Sequence, residues 1–261
     1  MKRSSLHESH EVHKRVRLRS SSSDDAFTNT DIPSDAEASI RFLTSQFPLD
    51  AFEQRLPPII MKHQVYSLVE DKTEADRELM MLKDNGTIRL FKLGNVADEF
   101  AVCFTSDYIS FIERTIKHGN PAVKIFITSV LPRCKDVSVS KTALLTEARL
   151  SEADISFLVN CGLLVVRDIG KAASWWFAIP GVGLFVRHLT KGRSAVLQMI
   201  KRAKHQELLQ SELEARKLSV SKLGMDYHLR DILGAELVRS IDTTSGPLLR
   251  LMEEPKKKKK R

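Results

Sequence analysis

Three short segments of the chain contain residue types that a phosphotransferase needs. A kinase requires a glycine-rich loop over its nucleotide, a strand lysine, a catalytic Asp with a metal-binding Asn, and a second metal-binding Asp. PGVG (180–183) lacks the third glycine, and RDIG (167–170) resembles the metal-binding motif but precedes those glycines. HLRDIL (228–233) has an inserted residue and no Asn four places after its last Leu. Because neither order nor spacing fits a kinase, we expect no catalytic residues.

Other catalytic and cofactor signatures are also missing from the sequence. No His pair has zinc-helix spacing, and there is neither a nucleophile-elbow motif nor a Walker loop. The cysteines, Cys103, Cys134 and Cys161, are an odd number at wide spacing, which favours a reducing compartment and core packing over disulfides or a zinc site. No run approaches the roughly 18 apolar residues of a membrane span. We therefore expect no metal, cofactor, small-molecule substrate or membrane contact.

The chemistry that the composition favours is electrostatic binding of a polyanion. The net charge of +8 is uneven, with 10 Lys/Arg against 13 Asp/Glu in residues 36–118, 8 against 5 in residues 119–189, and 11 against 7 in residues 190–252. The helical segment KGRSAVLQMIKRAKHQELL supplies a basic polar side: Lys191, Arg193, Lys201, Arg202, Lys204 and His205. A solvated helix face is the alternative for these cations. If the chain binds a polyanion, its second half should dominate.

Both ends of the chain are predicted to be tails with basic clusters. Residues 1–34 are Ser-rich and read as disordered, and HKRVRLR (13–19) within them is an import signal, a DNA-touching arm or a solvated stretch. At the other end, six cations follow a proline: Lys256, Lys257, Lys258, Lys259, Lys260 and Arg261. Adjacent cations stay extended without counter-charges. This tail is typical of a nuclear-import signal and compatible with nonspecific DNA affinity, or it is an incidental polybasic end.

A pattern of helix, glycine and strand indicates which elements position these residues. It occurs twice with equal offsets, as Leu79, Leu82, Gly86, Ile88, Leu90 and as Ile155, Leu158, Gly162, Leu164, Val166. The spacing changes from three, a helix-face period, to two, a strand-face period, at a glycine that tolerates the positive φ of a helix C-cap. A recognition helix that runs into a β-wing is the core of a winged helix. A third copy is degraded, because Glu236 occupies the place of the glycine.

We predict an α+β fold, mainly helical, with three tandem winged-helix modules between the two tails. The predicted segments are the tail 1–34, a first module 35–118, a second module 119–189, a third, basic module 190–252, and the tail 253–261. The length of 261 residues suits two or three small domains.

In the first module, Asp35 is predicted to cap the first helix, Pro57-Pro58 to open the second, and Thr73 to cap the third. Strands TIRLFKL and EFAVCFT are predicted to flank the wing, and DYISFIERTIKH to form a closing helix. The third helix, TEADRELMMLKDNG, is net acidic. Because carboxylates repel phosphate, it is poorly suited to reading DNA. We therefore assign this module to protein contacts.

In the second module, helices are predicted at 123–131 and 141–148, followed by a third helix that Ser151 caps together with the Asp three residues later. The return strand of its wing contains Trp175 and Trp176, which must face opposite ways. One is expected in the core, and the other either covers a neighbouring module or stacks on a partner.

In the third module, the basic helix is followed by SELEARKL, which either continues it or forms a second helix. A third helix is predicted at 227–237, and DTTSG (242–246) is the predicted turn of a hairpin that ends in LLRL.

Four blocks of the sequence resemble a known family. They are LPPIIMKHQVYSLVEDKTEADREL, SVLPRC, VRDIGKAASWWFAIPGVGLFVRHLTKGRSAVLQMIKRAKHQELLQSEL and LVRSIDTTSGPLLRL, and the resemblance covers about residues 36–252. The family is serine/threonine-protein kinase 19, also called winged-helix repair factor. Its kinase name does not imply chemistry here, because the catalytic parts are missing.

The resemblance implies a non-catalytic nuclear protein of three winged helices that binds double-stranded DNA. It further implies a role in transcription-coupled nucleotide-excision repair, in which the protein bridges stalled RNA polymerase II and repair proteins. The DNA-binding positions that it carries over are Lys191, Arg193, Lys201, Arg202, Lys204, Arg216 and Lys217. Since phosphate contacts do not read bases, we expect weak sequence preference. The alternatives are a protein-binding scaffold without direct DNA contact and, more remotely, a serine/threonine kinase.

Overall fold

Three small antiparallel sheets follow one another along the chain, each with its last strand in the middle. The computed structural model describes residues 33–94, 99–116, 119–168 and 173–252. The first sheet pairs β3 (Phe100–Phe104) with β1 (Ile60–Met61) and β2 (Ile88–Lys92). The second pairs β6 (Ser174–Phe177) with β4 (Ser138–Ser140) and β5 (Leu164–Asp168). The third pairs β9 (Gly246–Leu251) with β7 (Glu207–Leu209) and β8 (Val238–Thr243).

The helices alternate with these strands in a repeated order of helix, strand, two helical segments and two strands. The first module contains α1 (Asp35–Ser45), α2 (Lys62–Val65) and α3 (Lys72–Asp84), and α4 (Thr105–Thr115) follows β3. In the second, α5 (Pro121–Ile125), a π-helical segment (Phe126–Val130) and α6 (Leu131–Arg133) precede β4, and a π-helical turn (Ala143–Glu147) and α7 (Glu152–Asn160) follow it. The third contains α8 (Val182–Arg202), α9 (Gln210–Glu214) and α10 (Met225–Gly234). The fold is therefore a mixed α+β fold with small antiparallel sheets.

The junction between the last helix of each module and its hairpin has the same geometry three times. Gly86 and Gly162 have φ angles of 79° and 75°, and Glu236, at the equivalent place, has a φ of 55°. In each copy the N–H of this residue donates to the carbonyl three residues earlier, and the next N–H donates to the carbonyl five residues earlier. These two hydrogen bonds form a Schellman C-cap. The predicted change from helix to strand is thus confirmed at all three positions.

Helix starts were predicted less accurately than these helix ends. Ser34, and not Asp35, is the N-cap of α1, and its hydroxyl accepts a hydrogen bond from a first-turn N–H. Asp71, and not Thr73, caps α3, because its carboxylate reaches the N–H groups of the first turn at 2.8 and 3.1 Å. The predicted capping box at Ser151 is confirmed. The errors of one and two residues arise because several neighbouring side chains are chemically suited to the same cap.

Two predicted helical segments have a different backbone. The residues after Pro57-Pro58 form β1 before the short α2, because Ile60 and Met61 pair with β3. The predicted helix at 123–131 extends from α5 to α6 with π-helical bonding in its middle, and the one at 141–148 contains the second π-helical turn. Predictions for α4, α9, α10 and the third hairpin are confirmed within a few residues at the ends.

Helix α8 begins earlier than predicted and joins two hydrophobic cores. Its 21 residues run across position 190, where the third module was predicted to start. Phe185 and Leu189 belong to the core that the first and second modules share, whereas Val196 and Ile200 belong to the core of the third. The predicted continuation after Arg202 is wrong, because 207–209 form β7.

The two adjacent tryptophans lie on opposite faces of β6, as predicted. Trp175 is 9% exposed and packs in the core. Trp176 is partly exposed and lies between two cations, with Lys92 Nζ 5.1 Å and Arg167 Cζ 4.5 Å from its ring centroid. Because Lys92 belongs to β2, Trp176 covers the seam between the first two sheets. The three cysteines are free, with Cys103 buried and the other two partly buried.

The first module contacts both of the others through buried polar groups. Arg89 donates to the carbonyls of Leu131 (3.0 Å) and Cys134 (2.7 Å) in the second module. Across the other seam, Tyr227 Oη donates to the Ile59 carbonyl at 3.0 Å. Buried backbone carbonyls need such partners, and each bond fixes one module against the next.

A buried carboxylate is the centre of the seam between the first and third modules. Asp231, on α10, has no exposed side-chain surface. Arg193 of α8 donates to both of its oxygens, at 2.7 and 2.8 Å, and the Nε2 of His63 lies 2.8 Å from one of them. A third guanidinium N–H reaches Glu99 of the first module at 2.9 Å. Burial is the largest single influence on the pKa of Asp231 and raises it. The hydrogen bonds and charges of Arg193 and His63 together outweigh burial, so the pKa lies below its ordinary value.

Helices α8 and α10 approach each other closely where Gly192 faces His228. A Cβ atom on Gly192 would lie 2.0 Å from His228 Nε2, so this crossing requires a residue without a side chain. Burial, the largest cause, and the nearby charges of Arg193 and His188 lower the pKa of His228 to about 4, while Asp231 acts in the opposite direction. His228 is therefore neutral in the folded protein at neutral pH, with Ser221 Oγ 2.9 Å from its Nε2.

The Schellman junctions predict opposite effects of exchanging glycine with other residues. Gly162→Ala places a Cβ in left-handed backbone and should destabilise the protein by about 1 kcal/mol, which lowers Tm by about 2–4 °C. Glu236→Gly relieves the same strain and should raise stability by about 0.5 kcal/mol, net of the backbone entropy that glycine adds to the unfolded chain. Thermal unfolding measures both. Gly183→Ala is the control, because Gly183 lies in α8 at ordinary φ with open space around it; shifts of equal sign at 162 and 236 would contradict the assignment.

The buried imidazole predicts acid sensitivity between about pH 6.5 and 4. In this range His228 is protonated in the unfolded chain but stays neutral in the folded protein. Stability is therefore fully present above pH 6.5 and falls as the pH drops towards 4, by up to about 3 kcal/mol. Urea unfolding at several pH values should give a proton uptake that His228→Gln reduces by about one. His205→Gln, at an exposed position, should leave the slope unchanged; a wild-type slope in His228→Gln would refute this origin.

Candidate nucleic-acid interface

Helix α8 has a basic outer face because its sequence is amphipathic and lacks acidic residues. Between Val182 and Arg202 there is no Asp or Glu. Phe185, Leu189, Val196 and Ile200 follow helical spacing and are buried on one side. The opposite side carries four exposed cations, Arg187, Lys191, Lys201 and Arg202. The last two are in the last turn, where the helix dipole favours positive charge.

Six of the seven predicted phosphate-binding residues are exposed side chains. They are Lys191, Lys201, Arg202, Lys204, Arg216 and Lys217. Lys204 follows α8 in a short 3-10 turn. No ion pair links any of the six to a carboxylate of the described part of the chain. Their charges are therefore free to interact with an external anion.

Arg216 and Lys217 lie on a segment that returns towards α8. This segment, 215–222, follows α9 and is neither helix nor strand. At its far end the Lys222 N–H donates to His188 Nδ1 of α8 at 3.3 Å. The end of the segment and the first half of α8 are therefore neighbours. We call the outer side of α8, Lys204 and segment 215–222 the basic face.

The positive charges of the basic face influence the pKa of His188. Burial first, and then the charges of Lys222, Arg187 and Lys191, hold the pKa of His188 below its ordinary value, while a hydrogen bond that the imidazole donates to the Val220 backbone opposes them. Lys222 and Arg187 were not among the predicted residues. Arg187 lies one helical turn before Lys191, but the predicted boundary at 190 assigned it to a different module. Lys222 becomes a neighbour only through the fold of the segment.

Arg193 differs from the other six predicted residues. Its guanidinium is bound to Asp231 and Glu99, and these carboxylates raise its pKa above the ordinary value although burial lowers it. The side chain lies at the edge of the buried side of α8, three residues before Val196. The structure thus gives Arg193 the role of joining modules, and a phosphate would have to displace two carboxylates to reach it.

The three helices that precede the hairpins are poorly placed for anion binding. Helix α3 has Glu74 in its first turn, and α7 has Glu152 and Asp154 there. In α10, Tyr227 and Asp231 are buried against the first module. The outer side of α8, which has no carboxylate, is therefore better suited to an anion than these helices are.

The segments that resembled kinase motifs have structural roles in this fold. In HLRDIL, Asp231 is the buried carboxylate of the seam between the first and third modules. In RDIG, Arg167 stacks on Trp176 and contacts Ser138 Oγ at 3.1 Å, while positions 169 and 170 lie outside the described residues. Asp231, bound at both oxygens by Arg193, is therefore not free to bind a metal ion.

The predicted tails fall outside the described residues, apart from positions 33 and 34. This applies to HKRVRLR (13–19) and to the import residues Lys256–Arg261. Among the helices of the described segments, none combines the length and apolar character needed to cross a bilayer.

Comparison with known proteins identifies related chains. A model of the family described as inactive serine-threonine protein kinase 19 matches residues 26–251. The chain is 45% identical over 225 residues to winged helix repair factor 1 of Homo sapiens, covering 85% of this chain and 87% of the relative. It is 37% identical over 230 residues to the protein of the same name from Xenopus laevis, covering 85% and 86%. A more distant match, 26% over 115 residues, is serine/threonine-protein kinase mug51 of Schizosaccharomyces pombe, covering 41% and 37%. The chain therefore belongs to the inactive serine-threonine protein kinase 19 family, whose vertebrate relatives are named winged helix repair factor 1.

Proposed function

We propose that this protein is a non-catalytic, nuclear adaptor that binds double-stranded DNA through its basic face. The observation that carries the proposal is the outer side of α8, a 21-residue helix without a carboxylate, beside a second exposed basic segment. A surface of one sign attracts a polyanion and accelerates its encounter with the protein. The name of the vertebrate relatives, winged helix repair factor 1, supports a role in DNA repair.

Each module is interpreted as a winged helix. In all three, the order is helix, strand, two helical segments and a β-hairpin, and the first strand pairs with the last. The hairpin would be the wing, and α3, α7 and α10 would be the recognition helices. The Schellman junctions turn each of these helices directly into its wing.

Binding would proceed through phosphates and not through base edges. The proposed contacts are Lys191, Lys201, Arg202, Lys204, Arg216 and Lys217, extended by Arg187 and Lys222. Each Lys or Arg that neutralises a phosphate releases counterions, which makes affinity steeply dependent on salt. Base reading would require a recognition helix with free polar side chains in the major groove. Since α10 is buried and α3 and α7 begin with acids, the sequence preference should be weak.

The first module is proposed as the site of protein partners. It is net acidic, and α3 exposes Met80 and Met81 at 48% and 57%. Exposed methionines adapt to partner surfaces. We place the protein in transcription-coupled nucleotide-excision repair, in which it would connect stalled RNA polymerase II, bound through such surfaces, to repair proteins. The C-terminal cations, Lys256–Arg261, would direct nuclear import.

A protein-binding scaffold without DNA contact is the second candidate, and the exposed methionines of α3 favour it. In that case the basic face would meet an acidic protein surface. A kinase is disfavoured, because Asp231 is buried and paired and the family is described as inactive. Support for the kinase hypothesis would require magnesium-dependent ATP binding by the pure protein.

DNA binding by the isolated chain separates the two candidates. We expect the anisotropy of a labelled duplex to rise with protein, with log Kd changing linearly with log salt and with little difference between sequences. Six phosphate contacts correspond to a loss of about three decades in affinity between 50 and 200 mM salt. The measurement is repeated without residues 253–261. Binding that disappears with this tail would remove the basic face from the site and favour the scaffold.

Charge reversal tests the basic face directly. The double variant Arg216→Glu, Lys217→Glu should weaken binding about 50-fold at 0.1 M salt and lower the salt slope by about 2, equally on different sequences. Lys124→Glu, an exposed cation on α5 of the second module, is the matched control. Arg193→Gln should instead lower the unfolding free energy, because it leaves Asp231 buried without its partner. Unchanged affinity in the double variant would exclude segment 215–222.

A further inference from the structure

Segment 215–222 contains a serine whose neighbours match the requirements of an arginine-directed kinase. Ser219 follows Arg216 by three positions and Lys217 by two. Arginine-directed serine kinases select substrates by pairing carboxylates with a guanidinium three residues before the acceptor, so the charge pattern of the substrate determines specificity. Val220, at the next position, is 46% exposed and available for an apolar contact.

Ser219 is exposed to solvent, whereas Ser221, two positions later, is buried. Ser219 is exposed and lies in a turn outside helices and strands. Ser221 is 7% exposed; its hydroxyl lies 2.9 Å from His228 Nε2 and accepts from the Leu223 N–H at 3.2 Å. Ser221 and the Lys222–His188 hydrogen bond anchor the end of the segment. The hydroxyl of Ser219, in the turn before this anchor, is therefore accessible to an enzyme.

Other hydroxyls with the same spacing lie in a less suitable backbone. Within the described residues, Thr44 and Thr190 also follow an arginine by three positions. Thr44 belongs to α1 and Thr190 to α8, where its hydroxyl already donates to the Val186 carbonyl at 2.9 Å. A kinase binds its acceptor segment in extended form. The helix that carries Thr44 or Thr190 would therefore have to unfold locally before either hydroxyl could be phosphorylated. Ser219 requires no such unfolding.

We propose that Ser219 is a phosphorylation site for an arginine-directed serine kinase and that its phosphorylation weakens nucleic-acid binding by the basic face; the second part rests on the proposed function. In the transfer, Ser219 Oγ attacks the γ-phosphorus of ATP and forms the new O–P bond. The bond from that phosphorus to the β,γ-bridging oxygen breaks, and ADP leaves. The hydroxyl proton passes to the catalytic Asp of the kinase.

The phosphate acts on the basic face through charge. It adds about −1.5 to −2 charges at pH 7. Arg216 and Lys217 precede Ser219 by three and two positions, and Lys222 follows it by three. A phosphoserine pairs readily with such cations and occupies them. Loss of two phosphate contacts corresponds to about 50-fold weaker binding at 0.1 M salt and a salt slope lower by about 2.

The experiment uses the full chain, ATP, magnesium and the catalytic subunit of cAMP-dependent protein kinase as the arginine-directed probe. Mass spectrometry of peptides locates the phosphate, and anisotropy with labelled duplex DNA measures affinity before and after treatment. Ser219→Ala, treated identically, is the matched control, because Ser20 and Ser22 also follow arginines by three positions. Ser219→Glu is compared with Ser211→Glu, which places the same charge at an exposed serine beside acidic residues.

We expect phosphate on Ser219, about 50-fold weaker binding that Ser219→Ala does not show, and a weaker effect in the same direction from Ser219→Glu than from phosphate. Absence of phosphate at Ser219 under conditions that modify Ser20 or Ser22 would overturn the site. Phosphate on Ser219 with unchanged affinity would overturn the effect on binding. If the untreated chain does not bind DNA at all, the proposed function fails, and the mass spectrum still decides whether Ser219 is an acceptor.

Discussion

The contact on which the arrangement of this protein depends is the buried carboxylate of Asp231. A carboxylate without solvent is costly unless its charge is paired and both oxygens are hydrogen-bonded. Arg193 supplies two donors and His63 lies at hydrogen-bonding distance, one from α8 and one from α2. Arg193 belongs to the same module as Asp231, whereas His63 and the Glu99 that binds the other side of Arg193 join this network only when the third module is docked on the first. Such a pair contributes more to a unique arrangement than to net stability, because its desolvation cost offsets most of its attraction.

This docking decides which surfaces remain available. It buries α10, the helix that precedes the third hairpin, and it occupies the guanidinium of Arg193 with two carboxylates. The outer side of α8 and segment 215–222 keep exposed cations that an external partner can reach. The last helix of the third module is thus covered by the first module, and the proposed phosphate-binding surface lies instead on the helix that joins the cores.

Features that depend on residues close together in the sequence could be predicted, and features that depend on distant contacts could not. The turns at Gly86 and Gly162 depend on one residue and its own helix, and the same offsets located Glu236 without a glycine. The role of Arg193 was not predictable, because its partner is 38 residues away and becomes a neighbour only after α10 packs on α8. Strand β1 was missed for the same reason, since its two residues are held by β3. The basic side of α8 was predicted because periodicity within one helix defines it.

The opposite charge of α3 and α8 follows from one constraint. A recognition helix with acids in its first turn stabilises itself, because carboxylates there cap N–H groups and favour the helix dipole, but it repels phosphate. Helices α3 and α7 have this composition, with Asp71 and Ser151–Asp154 as their caps. Helix α8 is instead started by Gly181 in left-handed backbone, without a side-chain cap. It obtains its stability from two hydrophobic cores. Because packing rather than acidic capping stabilises α8, its outer side can remain free of carboxylates, and this is the physical basis for proposing nucleic acid as the partner of α8 and proteins as the partners of α3.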